Sequence, residues 1–305
     1  MITTFFSKSK PINLVIVSVF IVILFVISNF NGLFTDIGSV LKAVGKLLVV
    51  LFMVFLLDFI VAKNNLTKQN SFAIMTLALL FAVFPQAMIH SDLLLSNLFV
   101  MFSLRRIISL QSHINIKKKL FDAAFWIGCA MLFEFWSFLF FALVIVALIY
   151  HAQNDIKNTL IPFVGLATVA ILLMAYNIVV YDVFIKPSNF PRYASLDFTA
   201  YNSKESILKL TVLFTSLVWI VVHYFKIISG LKKKQAPSFF LIAWTSIIAV
   251  LIAIIAPVKN GSEFIFLFVP FSIIMSKYIE TISERWFREV FITLLIITPI
   301  ISLLL

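Results

Sequence analysis

Residues 12–30 read INLVIVSVFIVILFVISNF, an apolar run long enough to cross the ~30 Å hydrocarbon core of a bilayer as one helix. Comparable runs lie at 47–62, 71–88, 93–110, 120–150, 159–184, 206–226, 238–257, 264–280 and 290–305. Within these runs the apolar residues are continuous and do not alternate with a period of two, which favours helices over a β-barrel. The sequence therefore predicts an all-α, polytopic integral membrane protein.

The composition of the whole chain agrees with that fold class. Of its 305 residues, 62% are apolar and 12% are charged, whereas a typical soluble domain is about 45–50% apolar and about 25% charged. The longest polar connections, 105–119 and 185–205, are too short to build a hydrophobic core of their own. We therefore predict a single transmembrane domain over residues 1–305, with no soluble domain. The one cysteine, Cys129, excludes an internal disulfide.

The apolar run 120–150 is too long for one ordinary span. At 1.5 Å per residue a single helix would be about 45 Å long, well beyond the ~30 Å hydrocarbon core. Its middle holds Glu134 in the bulky segment EFWS, residues 134–137. The sequence favours two short helices that meet at the outer surface near Glu134, and one long helix is the alternative.

Basic residues distinguish these alternatives and set the orientation. With two helices over 120–150, the chain has about eleven spans and a cytoplasmic N-terminus, and most of its 24 Lys and Arg residues lie on the cytoplasmic side. With one helix, the lysine cluster 232–234 would face outwards, against the positive-inside rule. We therefore predict a cytoplasmic N-terminus, and call the cytoplasmic helix ends inner and the opposite ends outer. The net charge of +11 then reflects topology and anionic headgroups, not nucleic-acid binding.

Charged groups at the predicted outer ends are candidates for a functional site, because charge at membrane depth is costly. Carboxylates there can supply a general base or bind a divalent cation, whereas Arg and Lys can hold a phosphate. The catalytic candidates are the carboxylates of Asp36, Asp92 and Glu134. The ligand-binding candidates are Arg192, Lys259 and Glu263.

The three catalytic candidates also have structural interpretations. Asp36 and Asp92 stand where helices are predicted to start, so both fit the pattern of an N-cap. Glu134 lies among bulky aromatic residues, where a carboxylate needs a partner or water. The sequence alone leaves the catalytic and the structural interpretations open.

The three ligand-binding candidates have similar alternatives. Arg192 precedes Tyr193 in a long outer loop, and an Arg beside an aromatic residue is typical of an interface anchor. Lys259 and Glu263 are four residues apart, a spacing at which the two side chains can pair with each other. Either interpretation is consistent with the sequence.

Four segments carry a resemblance to a known family. They read LLLSNLF at 93–99, LRRIISL at 104–110, KLFDAAFWIG at 119–128 and NGSEFIFLFVP at 260–270. With these segments the chain resembles a family of multi-pass inner-membrane proteins from Bacteroidota, a domain of unknown function. The resemblance covers nearly the whole chain and implies no particular activity.

The helix layout is also similar to that of the GT-C glycosyltransferases, which use polyprenyl-phosphate sugar donors. That resemblance implies a catalytic carboxylate at Asp36, a short helix pair over 120–150, and a late helix entered through a charged loop and a proline, which residues 263–270 would match. It also implies membrane lipids, and polyprenyl phosphate in particular, as partners. The chain departs from the pattern in its first outer loop, predicted at 31–46, which is short and has Asp36 as its lone carboxylate.

Three classes of function follow. The first is a lipid-linked sugar transferase or cell-envelope glycan assembly protein with an outward-facing acidic site. The second is a non-catalytic subunit of an envelope complex, which needs partner proteins and only apolar helix faces. The third is a transporter or lipid flippase, which needs polar residues at mid-depth, and few besides Asp58 and Asn177 are present.

Overall fold

The computed structural model describes residues 2–33, 36–151, 155–186, 193–232 and 235–305, and these contain helices and no strand. The helices are α1 (Ile2–Phe6), α2 (Pro11–Leu33), α3 (Ile37–Lys63), α4 (Phe72–Val83), α5 (Ser91–Ile108), α6 (Ile116–Phe133), α7 (Phe141–Tyr150), α8 (Ile156–Tyr181), α9 (Lys204–Ser229), α10 (Ala236–Ile255), α11 (Ile265–Thr281) and α12 (Arg285–Ser302). Short 3₁₀ turns lie at Pro85–Met88, Ser109–Ser112, Phe135–Phe140, Thr199–Tyr201 and Ser262–Phe264.

The long apolar helices identify a helical membrane protein, as the composition predicts. Among the described residues, 7 helical segments are long and apolar enough to cross a bilayer: Pro11–Phe30, Ile37–Lys63, Ser91–Ser112, Ile156–Tyr181, Lys204–Ser229, Ala236–Ile255 and Ser262–Thr281. The apolar segments Phe72–Val83 and Phe135–Tyr150 are shorter. A count of about eleven spans needs α4, α6, α7 and α12 to cross as well, and it stays a prediction.

The run 120–150 forms two helices that fold back on each other. α6 ends at Phe133, and Glu134 has extended backbone angles (φ −136°, ψ 109°) before the chain continues through the 3₁₀ turn Phe135–Phe140 into α7. The rings of His113, just before α6, and His151, just after α7, lie 6.1 Å apart between centroids. The two ends of the segment therefore meet, and the predicted hairpin with its tip near Glu134 is confirmed.

Helix α3 begins at Ile37, so the predicted first outer loop over 31–46 is wrong. Asp36 caps the helix by accepting a hydrogen bond from the Gly38 N–H at 3.1 Å. Within the helix, Lys46 Nζ donates to Asn29 Oδ1 at 2.9 Å and to the Ile89 carbonyl at 3.1 Å. Because acceptors from other segments satisfy its ammonium group, Lys46 can lie within a helix. The sequence prediction had placed it in a loop.

The chain forms two compact units. Unit 1 comprises residues 1–94, 197–231 and 258–305, and unit 2 comprises 95–196 and 232–257. In unit 1, α4 is the central helix and each of its residues is buried. Helices α2, α3, α11 and α12 pack around α4, and Phe81 of α4 meets Phe268 of α11 edge to face at 5.2 Å.

A polar network at the predicted inner end fastens a loop of unit 1 to α11. The Glu280 carboxylate accepts hydrogen bonds from the Lys68 N–H at 2.6 Å and from Asn70 Nδ2 at 3.0 Å. It also pairs with Lys277 Nζ at 2.7 Å. Ser276 Oγ donates to Asn70 Oδ1 at 3.0 Å. The network joins the loop between α3 and α4 to the end of α11.

In unit 2, close contact between α6 and α8 depends on two glycines. A Cβ atom at Gly165 would lie 2.8 Å from the Phe121 carbonyl oxygen, and one at Gly128 would lie 2.8 Å from Val169 Cγ2. Small residues at such positions let membrane helices pack backbone to backbone. Arg106 of α5 and Asp122 of α6 add an ion pair at 2.9 Å.

Candidate functional site

A tight turn at the predicted outer end of unit 1 shapes the strongest candidate site. The turn leads through Ser262–Phe264 into α11, and Gly261 at its centre has φ +93°. A Cβ atom at Gly261 would lie 3.0 Å from Phe84 Cδ1. Glycine is therefore required here both for its backbone angle and for the close approach of the Phe84 ring.

Glu263 is the buried acid of this turn, with 2% of its surface exposed. Its Oε2 accepts hydrogen bonds from the Gly261 N–H at 2.9 Å and from the Asn260 N–H at 3.3 Å. Its Oε1 is buried and has no hydrogen-bond partner among the described residues. A buried carboxylate oxygen is costly to leave without a donor, so Oε1 is prepared to accept a hydrogen bond from a ligand.

Asn260 connects the turn to the segment before α5. Its Oδ1 accepts from the Ser262 N–H at 3.0 Å and from Ser262 Oγ at 2.5 Å. Its Nδ2 lies 3.1 Å from His90 Nε2. The amide donates in this contact when His90 carries its ring proton on Nδ1. Asn260 thereby holds the turn beside the Pro85–Met88 segment.

Lys259 supplies a buried cation next to the turn, with 7% of its surface exposed. Its Nζ lies 5.0 Å from the centroid of the Phe198 ring, within cation–π range. Burial lowers the pKa of the Lys259 ammonium, because the charged form loses hydration. A phosphate that binds there replaces the lost water with a charge-assisted hydrogen bond.

Tyr201 adds a hydroxyl donor near the same turn. Its ring centroid lies 6.3 Å from that of Phe264. Its hydroxyl is buried and has no hydrogen-bond partner among the described residues. We call Lys259, Asn260, Glu263, His90 and Tyr201 the outer polar cluster. The cluster offers a cation, an acceptor oxygen and hydroxyl or amide donors, which suits a ligand with a phosphate and hydroxyl groups.

The other predicted residues have surroundings of their own. Asp36 is exposed and caps α3, as its structural interpretation held. Asp92 is exposed in the first turn of α5, with Oδ1 3.3 Å from Ser91 Oγ. Glu134 is half-buried at the tip of the α6–α7 hairpin, and Arg192 lies outside the described residues. Their catalytic and binding roles stay predictions.

Two further properties of the site bear on the sequence analysis. In the part of the chain that the structure describes, no three His, Cys, Asp or Glu side chains gather as metal ligands. The Glu263 carboxylate is held in place by backbone N–H groups, which donate to its Oε2, and not by pairing with Lys259.

Tyr201 and Asn260 were not predicted as site residues. The sequence Asn-Gly-Ser at 260–262 signals a turn. That turn contacts His90, which lies 170 residues earlier in the chain. The spacing of residues in the sequence does not predict this contact.

Comparison with known proteins gives a family without an assigned activity. The chain matches DUF6427, described as a family of unknown function, over residues 1–304, and it belongs to that family. No curated protein and no solved structure matches the chain significantly.

Proposed function

We propose that this DUF6427 member is a bacterial inner-membrane protein that binds a polyprenyl-phosphate-linked sugar at the outer polar cluster and transfers the sugar as GT-C enzymes do. The observation that carries the proposal is the buried Glu263, whose Oε1 has no hydrogen-bond partner among the described residues. Lys259, also buried, lies four positions earlier at the same turn. An acid and a cation are thus available at one end of a membrane helix.

In the proposed reaction Lys259 binds the phosphate of the donor and stabilises the charge that develops on it. Glu263 Oε1 accepts the proton of the acceptor hydroxyl, whose oxygen attacks the anomeric carbon. The bond between that carbon and the phosphate oxygen breaks, and the polyprenyl phosphate leaves with the electron pair. Asn260 and Tyr201 can bind sugar hydroxyl groups. Arg192 stays a candidate for a second phosphate contact.

The proposed orientation has the N-terminus in the cytoplasm and the outer polar cluster on the opposite side, across about eleven spans. Two contacts agree with the way this topology places helix ends on common sides. Asn260 meets His90 at ends that the topology assigns to the outside, and Glu280 meets Asn70 at ends that it assigns to the inside. Each pair therefore lies on one side, as alternating spans require.

The test is purification in polymer-bounded native membrane discs, followed by mass spectrometry of the bound lipids. We expect polyprenyl phosphate, or its sugar conjugate, in the wild-type sample. Lys259→Gln should lose at least about tenfold of the bound lipid, because a desolvated charged hydrogen bond contributes about 1.5–3 kcal/mol. Glu263→Gln should keep the lipid and lose sugar transfer to an added acceptor.

Glu205 and Lys209 provide the matched control. They have the same spacing, form an ion pair at the start of α9, and Glu205 is exposed. Changing both to Gln should leave bound lipid and transfer unchanged. Absence of any polyprenyl lipid from the wild-type discs would rule out the proposal. Bound lipid without transfer would instead indicate a non-catalytic lipid-binding subunit of an envelope complex.

A further inference from the structure

An apolar groove runs along the surface of unit 1, apart from the outer polar cluster. Side chains of α1, α2, α4 and α12 line it, from Ile2 and Phe6 at the predicted inner end to Leu24 and Leu303 towards the outer end. Its volume is about 510 Å³, within the ~300–1,000 Å³ range of small-ligand sites. Because α2 is long and apolar enough to span the bilayer, the groove lies where the surrounding solvent is hydrocarbon.

Two loops that hold each other in place lie next to Phe6, which lines the groove. The Ser71 N–H donates to the Phe6 carbonyl at 3.0 Å, and the Ser9 N–H donates to the Gln69 carbonyl at 2.7 Å. Asn13 Nδ2 donates to the Lys8 carbonyl at 2.8 Å. The loop between α1 and α2 is thereby fixed against the loop between α3 and α4, and Ser71 of the second loop reaches Phe6 of the groove.

These two loops carry an excess of positive charge. Lys8, Lys10 and Lys68 are exposed on them. Neither loop contains an acid, and Glu280 of α11, which contacts the second loop, is paired with Lys277 Nζ. Clustered lysines beside the cytoplasmic end of a membrane helix attract anionic headgroups.

We propose that the groove binds one acyl chain of an anionic phospholipid of the inner leaflet, with the lipid phosphate at Lys8, Lys10 and Lys68. The apolar wall recognises the chain, and the three ammonium groups select the headgroup. The site is independent of the outer polar cluster and of any reaction there. Its role is to fasten α1 and α12 to a lipid of defined charge.

The test measures bound lipid by native mass spectrometry after reconstitution into vesicles with equal amounts of phosphatidylglycerol and phosphatidylcholine. We expect one retained phosphatidylglycerol on the wild-type protein. Changing Lys8, Lys10 and Lys68 to Gln should lower the preference for that lipid by about tenfold or more, given the attraction of each lysine to an anionic surface. All three side chains are exposed, so the variant should fold normally.

A second variant and a matched control make the test specific. Ile300→Trp fills the groove from a lining side chain that is 56% exposed, and it should abolish retention of phosphatidylglycerol and phosphatidylcholine alike. Changing the exposed Lys117, Lys118 and Lys157 of unit 2 to Gln removes the same charge from the predicted inner side and should change nothing. Three results would each overturn the proposal. The two lysine variants could have equal effects, Ile300→Trp could retain lipid as the wild type does, or the wild type could retain a fatty acid or polyprenyl lipid in place of phosphatidylglycerol.

Discussion

Gly261 is the residue on which the geometry of the outer polar cluster depends. Its φ of +93° strains any residue with a side chain, and a Cβ atom there would press on the Phe84 ring, 3.0 Å from Cδ1. We expect Gly261→Ala to lower the free energy of unfolding by about 1–3 kcal/mol, the cost of a strained backbone position. Thermal unfolding in detergent measures the change.

Gly45 is the control for that substitution. It lies within α3 and a Cβ there meets nothing within 4 Å, so Gly45→Ala should be neutral or slightly stabilising, given the helix propensity of alanine. Equal melting temperatures for the two variants would mean that the turn at Gly261 is not constrained as described.

We expect His151 to make the stability of the protein depend on pH. Burial, and then the charges of His113 and Lys119, lower its pKa to about 4 from the ordinary 6.5. In the unfolded chain His151 becomes protonated below about pH 6.5, whereas in the folded chain it stays neutral down to about pH 4. The free energy of unfolding therefore falls as the pH drops through that range. His151→Gln should flatten the decrease between pH 7 and pH 5 by about 1 kcal/mol, after allowance for solvent screening. Parallel stability profiles of the two proteins would contradict this assignment.

The sequence identifies single residues better than it identifies their partners. Glu263 was a candidate because a charge near a membrane helix is costly. Its burial depends on backbone N–H groups of the Asn260–Gly261 turn, and the place of the turn depends on His90 and Phe84. Such contacts join segments far apart in sequence, and local pattern does not encode them.

At the scale of elements, the pair α6 and α8 is the most tightly constrained. A methyl group at Gly165 would lie 2.8 Å from the Phe121 carbonyl oxygen, and backbone cannot move aside as a side chain can. Gly165→Ala should separate the helices and cost about 1–3 kcal/mol, the usual range for overpacking. Resistance to unfolding by sodium dodecyl sulfate measures the cost, with Gly45→Ala as the reference. Unchanged resistance would show that α6 and α8 are further apart than described.

Helix boundaries were predictable where length alone decides them. The break near Glu134 follows from the excess length of 120–150, and the structure has it between α6 and the turn before α7. The start of α3 was missed because Lys42 and Lys46 resemble loop residues. In the structure the Lys46 ammonium donates to Asn29 and to the Ile89 carbonyl, and the helix begins ten residues earlier than predicted. The sequence gives no sign of these contacts.

At the scale of the whole molecule, the predicted orientation of each later helix depends on whether α6 and α7 cross the membrane as two spans. In a chain with Cys129 replaced by Ala, single cysteines at the exposed positions Ser112, Lys157 and Asp197 report the side of the membrane. We expect the first two to react with a membrane-impermeant maleimide only in inverted vesicles, and the third only in intact spheroplasts. Labelling of Ser112→Cys and Lys157→Cys from opposite sides would mean that 116–150 crosses once.

Unit 1 is assembled from parts of the chain that are synthesised at different times. Its helices come from three separate stretches of chain, and the Thr3 hydroxyl at its beginning donates to Glu289 of α12 near its end. The ribosome must therefore deliver α12 before α1 reaches its final partner, whereas unit 2 has all its helices by Ile255. Unit 1 is therefore complete only once α12 has been synthesised, and until then Thr3 lacks its acceptor on Glu289.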